Sequence, residues 1–232
     1  MRPNLRLLAA TSLAYPILTV IAFAAFPKPP GGDVSAAHDP SWLAAHTGAV
    51  IAQGYLRSLA ALGFLLLAVA LSAGAGPVVS RLIVASGAGT TLLLLTAQGF
   101  VLAAAYGVRD GIAQSVIRVL DPLNAAALDL SSLPAIVLFA AAGAALLARV
   151  EGPRSLGWLT VLGVPLALLD ALSYRGGPLA SVGAVGLAYF LVWSLACGLV
   201  LVRHPAADGP TPATNPDLGR RADKPQSVQA TR

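Results

Sequence analysis

Apolar residues dominate this chain in long runs, and most polar residues are confined to the gaps between them. Six runs are long enough to cross a bilayer as helices, at about 7–26, 47–73, 79–106, 125–147, 156–173 and 179–202, because roughly 20 apolar residues span a hydrocarbon core. The first follows Arg2 and Arg6 and contains Pro16, which predicts a kink. Its basic flank and the small residues around Phe23 also resemble a signal peptide, but its length favours a transmembrane helix.

The gaps carry their own signals. The stretch from Pro27 to His46, PKPPGGDVSAAHDPSWLAAH, holds enough Pro and Gly to predict an exposed loop, with Trp42 as an interfacial anchor. A Gly/Pro turn from Gly74 to Pro77 separates the second and third runs. Beyond the third, Ile112, Val116, Ile117 and Leu120 share one helical face opposite Gln114 and Arg118. That pattern predicts either a short amphipathic helix on the membrane surface or a packed loop helix. After Arg203 large apolar residues almost vanish, so 203–232 reads as a disordered tail. The predicted fold is therefore all-α, a polytopic transmembrane bundle of six spans within residues 1–202.

Composition agrees: 56% of the 232 residues are hydrophobic and 11% charged, with a mean hydropathy of +0.76. A soluble domain does not have that balance. The 23 Gly and 17 Pro suit helices that associate by close backbone approach. The net charge of +5 follows topology. With six spans, one side receives Arg2, Arg6, Arg81, Arg149, Arg154, Arg203 and the tail's Arg220, Arg221, Lys224 and Arg232, and the other Lys28, Arg109, Arg118 and Arg175. Both termini are thus expected to be cytoplasmic, in a cell membrane crossed several times. Membrane lipids are the expected partners, and a homo-oligomer or another membrane protein is left open. No basic stripe with interleaved aromatics suggests nucleic acid.

Ionisable residues inside the runs are the anomalies. Arg57, Asp129 and Asp170 all fall in the outer half of the predicted bundle, and Gln98 joins their layer. On the second span His46, Gln53 and Arg57 are spaced seven and four apart, which predicts one polar line along the helix. Thr91, Ser132 and Ser173 sit at helical spacing from Gln98 and the two aspartates. Two functions fit this layer. In one, Arg57 pairs with an aspartate inside a structural or accessory membrane protein. In the other, the surplus carboxylate serves a small transporter or a proton- or ion-coupled carrier.

Nothing points to an enzyme. The histidines are His38, His46 and His204, which leaves no buried pair for a haem. There is no HExxH, GxSxG or phosphate loop, and His38, Asp39 and His46 match no standard metal spacing, so no cofactor or metal is expected. Cys197, the sole cysteine, reads as a small core residue, and Gly183, Gly186, Tyr189 and Trp193 read as packing and interfacial positions. The six-span layout, with YLRSLAALGFLLLAVAL and RSLGWLTVLGVPLALLDALSY, resembles uncharacterised bacterial integral membrane families that are known as domains of unknown function. The resemblance implies a small six-helix bacterial membrane protein without an assigned activity.

Overall fold

Pro16 has no amide hydrogen to donate, and its ring crowds the carbonyl four residues earlier, so the first apolar run cannot form one straight helix. The computed structural model, which describes residues 3–26, 40–148, 154–172 and 182–203, divides it into α1 (Pro3–Ser12) and α2 (Ala14–Ala24). The break lies at Leu13, one turn ahead of Pro16, which occupies the first turn of α2. There its missing hydrogen costs nothing.

Five further helices follow: α3 (Pro40–Ser72), α4 (Pro77–Arg109), α5 (Gln114–Leu147), α6 (Arg154–Leu172) and α7 (Val182–Arg203). No strand occurs among the described residues. The windows Ser41–Ser72, Pro77–Arg109, Gln114–Leu147, Arg154–Leu172 and Val185–Arg203 are each long and apolar enough to cross a membrane, and Ala10–Ala24 adds a shorter apolar helix. The chain is a multi-pass membrane protein of the all-α class.

Three features differ from the sequence reading. α3 begins at Pro40 rather than after His46, so the end of the supposed loop is helical. A proline is well placed at a helix start, where its fixed φ is helical and its amide is not needed. The helix bends at His46 (φ −124°, ψ 15°), where the ring Nδ1–H donates to Trp42 O at 2.9 Å and Thr47 Oγ1 donates to Leu43 O at 2.6 Å. Side chains that compete for the helix's own carbonyls loosen it at that point.

The third difference is α5. The segment read as a separate helix or loop is continuous with the fourth span, and a single helix runs from Gln114 through Pro122 and Pro134 to Leu147. Ile117 is buried beside Leu43, Val50, Ala104 and Ala105, so this turn is packed by α3 and α4. Only part of the predicted apolar face lies in the interior: Ile117 is buried and Leu120 packs against its cluster, whereas Ile112 and Val116 are exposed. Positions 173–181 and the segment after 203, including the predicted tail, lie outside the described residues, as do His38 and Asp39.

The helices close into a ring. α4 packs between α3 and α5, α5 packs on α6, α2 on α3, and α7 meets α1, α2, α3 and α6. Small residues set the spacing, since a Cβ on Gly87 would come within 2.3 Å of Ala68 Cβ. One on Gly63 would lie 2.8 Å from the backbone nitrogen of Tyr15, tying α2 closely to α3.

Toward the end of the ring that holds the 73–76 turn, the interior is a solid aromatic block. Trp193 and Phe64 are fully buried. Phe139 stands edge-on to Trp193 at 4.8 Å and to Phe190 at 5.3 Å, and Tyr15 joins Phe64 at 5.2 Å. Edge-to-face packing adds to the area these rings bury. Trp193 is accordingly a core residue, not the interfacial one its type suggested, and its Nε1–H donates to Thr160 Oγ1 at 2.9 Å. Cys197 is buried in the same cluster.

Candidate functional site

Above the aromatic block the ring does not close on itself. A partly enclosed cavity of about 510 Å³ remains, lined by residues of α2 through α7. A volume of this size is typical of sites for small organic ligands. Its base and sides are apolar, with Tyr15, Phe139, Phe190, Leu94 and Leu128 among the lining residues. Set into that wall are Arg57 from α3, Thr90 and Gln98 from α4, Asn124, Asp129 and Ser132 from α5, and Asp170 from α6. Four residues predicted from the sequence as one polar layer thus face one space: Arg57, Gln98, Asp129 and Asp170.

The expected ion pair is not there. Among the described residues no salt bridge joins Arg57 to a carboxylate, and its Nε is buried without a hydrogen-bond partner. Its guanidinium carbon instead lies 4.4 Å from the centroid of the Phe23 ring on α2. The reason is architectural. α6 packs chiefly on α5 and α7 rather than on α3, so Asp170 and Arg57 come from helices that are not neighbours. An aromatic face supplies part of the missing negative potential through its quadrupole.

Asp170 accepts a hydrogen bond from Ser132 Oγ at 2.5 Å, which links α5 to α6. Gly186 of α7 backs the same carboxylate, for a Cβ there would sit 3.3 Å from Asp170 Oδ1. Asp129 has no hydrogen-bond or ion-pair partner among the described residues, and it lies near enough to Asp170 for the two charges to repel. Like charges in a shared site resist simultaneous ionisation.

The uncharged groups are also unusual. Most described Ser and Thr hydroxyls of these helices bond to a carbonyl one turn back, as Ser58 does to Gly54 O (2.9 Å), Ser86 to Leu82 O (2.6 Å) and Thr96 to Leu92 O (2.9 Å). Thr90 does not: its Oγ1 is buried without a partner, as are Gln98 Oε1 and Asn124 Oδ1. All three residues line the cavity. Buried polar atoms are rarely left unmatched, so three among the lining residues set this part of the bundle apart.

Gln53 and His46 stand elsewhere. Gln53 Nε2 donates to Ala22 O at 2.8 Å and ties α3 to α2. His46 stacks on Trp42 with ring centroids 4.6 Å apart. The bend at His46 carries it off the line that a straight helix would have given, and neither residue lines the cavity. Thr91, read as part of the polar face, turns to α3 and donates to Ala61 O at 3.4 Å, while Thr90 takes the cavity position. Ser173 lies outside the described residues.

Sequence reasoning missed Thr90, Asn124 and Tyr189. Asn124 was assigned to a connecting segment, and only the continuity of α5 brings it to the wall. Tyr189 reaches Leu159 O with its hydroxyl and presents its ring to Phe139. No cluster of three metal-ligating side chains occurs among the described residues. The helices and the cavity define the class, a multi-pass membrane protein built around an internal polar site. In comparisons with protein-family models, with curated proteins and with solved structures, the chain matches none.

Proposed function

We propose that this protein is a small membrane carrier, in which Arg57 and the Asp129–Asp170 pair hold a polar solute within the bilayer and an aspartate proton balances its charge. The observation that carries the reading is Arg57: an intramembrane cation that faces a cavity without a carboxylate partner. A charge used only for packing is paired, because leaving it unpaired in an apolar environment is costly. The structural or accessory reading rested on that pair.

Two further features support the reading. The cavity is lined by carboxylates as well as by the guanidinium, and a carboxylate is a group that can take up and release a proton. It is also closed toward one end of the bundle by Phe64, Phe139, Phe190 and Trp193, a block that would have to part for release on the other side. In the proposed orientation both termini are cytoplasmic and the closed end faces the cytoplasm, in keeping with the distribution of Lys and Arg. A bacterial cytoplasmic membrane is the location that the resemblance of the six-span layout to bacterial membrane families supports.

The test is flux. In proteoliposomes containing a pH-sensitive dye, with an imposed pH gradient and a mixed external pool of amino acids, peptides, sugars, nucleosides and amines, the wild type should acidify the lumen faster than empty vesicles. Asp129→Asn and Asp170→Asn should remove that excess. Equal rates for wild type, both variants and empty vesicles would end the carrier reading.

A further inference from the structure

The cavity wall specifies the chemistry of what it holds, and the step taken here rests on the solute-carrier reading above. On the α3 side stands Arg57, the one cation among the described lining residues. Its Nε is without an acceptor. The cavity is also lined by Asp129, which no salt bridge joins to Arg57, and by Asp170. Gln98 and Asn124, each 5% exposed, hold side-chain oxygens that receive no hydrogen bond. The lining therefore offers a cation without an acceptor and, apart from it, a carboxylate without a donor.

A simple anion would satisfy Arg57 and leave Asp129 without a partner, and a simple cation would do the reverse. A molecule that carries both charges meets each of the two with the opposite sign. Its remaining surface would lie on the Phe139 and Phe190 rings. The volume of about 510 Å³ is larger than a single small amino acid needs and falls in the range of sites for larger organic ligands.

We propose that the cavity binds a zwitterion with an apolar body, its anionic group against Arg57 and its ammonium group against Asp129. This chemistry has two sources: a short apolar peptide from the aqueous phase, or a zwitterionic lysolipid from the bilayer. Both carry one anionic group and one ammonium group.

Binding to the purified full-length protein in detergent decides the matter. The probes are trileucine, its N-acetyl derivative, its C-terminal amide and its doubly blocked form, with lysophosphatidylethanolamine and the anionic lysophosphatidylglycerol for the lipid source. At least one zwitterion should bind, and removing either of its charges should weaken binding by about tenfold or more, as expected when a buried charged group loses its partner. Arg57→Gln should abolish the preference for the acid over the amide and keep the preference for the unblocked amine. Asp129→Asn should do the opposite.

Equal affinity of wild type for trileucine and its blocked forms, with no preference for the zwitterionic lysolipid, overturns the proposal. Because the probe derivatives are compared on wild type, misfolding of a variant does not weaken the test. A tighter complex with trileucine than with lysophosphatidylethanolamine assigns the aqueous source, and the reverse assigns the bilayer. Proton flux without zwitterion preference would overturn this inference and leave the carrier reading standing, whereas zwitterion binding without flux would do the reverse.

Discussion

The guanidinium carbon of Arg57 rests 4.4 Å from the centroid of the Phe23 ring, and this contact takes the place of an ion pair. A cation held over an aromatic face away from water gains on the order of 1–2 kcal/mol. A double-mutant cycle of Arg57→Gln and Phe23→Leu, followed by unfolding in detergent, should therefore give a coupling of about 0.5–2 kcal/mol. Arg57→Gln combined with Asp129→Asn should be additive within about 0.5 kcal/mol, because those side chains are not bonded. A large coupling to Asp129 and none to Phe23 would contradict the observed geometry.

Ser132 and Asp170 make the polar link between α5 and α6, at 2.5 Å. A hydrogen bond to a carboxylate contributes about 1.5–3 kcal/mol. Ser132→Ala should lower stability by an amount in that range, and in an Asp170→Asn background it should cost distinctly less. Equal cost in both backgrounds would show that the bond contributes nothing.

Helix approach at Gly87 sets the distance between α3 and α4. A Cβ there would meet Ala68 Cβ at 2.3 Å, so Gly87→Ala should destabilise by about 1–3 kcal/mol through overpacking. Gly48 is the internal control, since nothing lies within 4 Å of its would-be Cβ. Gly48→Ala should leave stability unchanged or raise it by up to about 1 kcal/mol. Melting temperatures of the two variants would separate steric crowding from helix propensity.

In the aromatic block, the indole N–H of Trp193 depends on Thr160 Oγ1 at 2.9 Å. Thr160→Val removes the acceptor and leaves a buried donor unmatched, at a cost of about 1–3 kcal/mol. Thr160→Ser should cost less because it keeps the acceptor. Thermal unfolding followed by tryptophan fluorescence measures both.

Orientation is open to chemical labelling. Native Cys197 is fully buried and should stay unlabelled by thiol reagents until the protein unfolds. In a Cys197→Ser background, Ile112→Cys, at a position 49% exposed, should react with a membrane-impermeant reagent on intact cells. Gly76→Cys at the opposite end should react only after the membrane is opened. The reverse pattern would place the termini outside.

Much of this architecture is legible in the residues themselves. The apolar runs specify helices because a backbone in hydrocarbon must satisfy its own hydrogen bonds, and rare ionisable residues within them stand out because burying charge is costly. Arg57, Gln98, Asp129 and Asp170 could be grouped by depth alone, since rise per residue is nearly constant along a helix. Asn124 could not, because Pro122 reads as a break until packing of Ile117 shows that the helix continues through it. Thr90 and Thr91 are adjacent on α4, and only the position of α3 decides which of them is bonded across to Ala61.

The sequence by itself determined that the chain folds as long apolar helices with a few ionisable residues inside them, because this follows from local hydrogen bonding and the energetics of burial. Whether the layer's charges touch was decided by the tertiary structure alone. Depth along a helix says nothing of where around the bundle a side chain points, and α6 packs chiefly on α5 and α7 rather than on α3. Arg57 therefore lines the cavity without a carboxylate partner among the described residues, and the pairing that composition suggested gives way to a site that holds both kinds of charge apart.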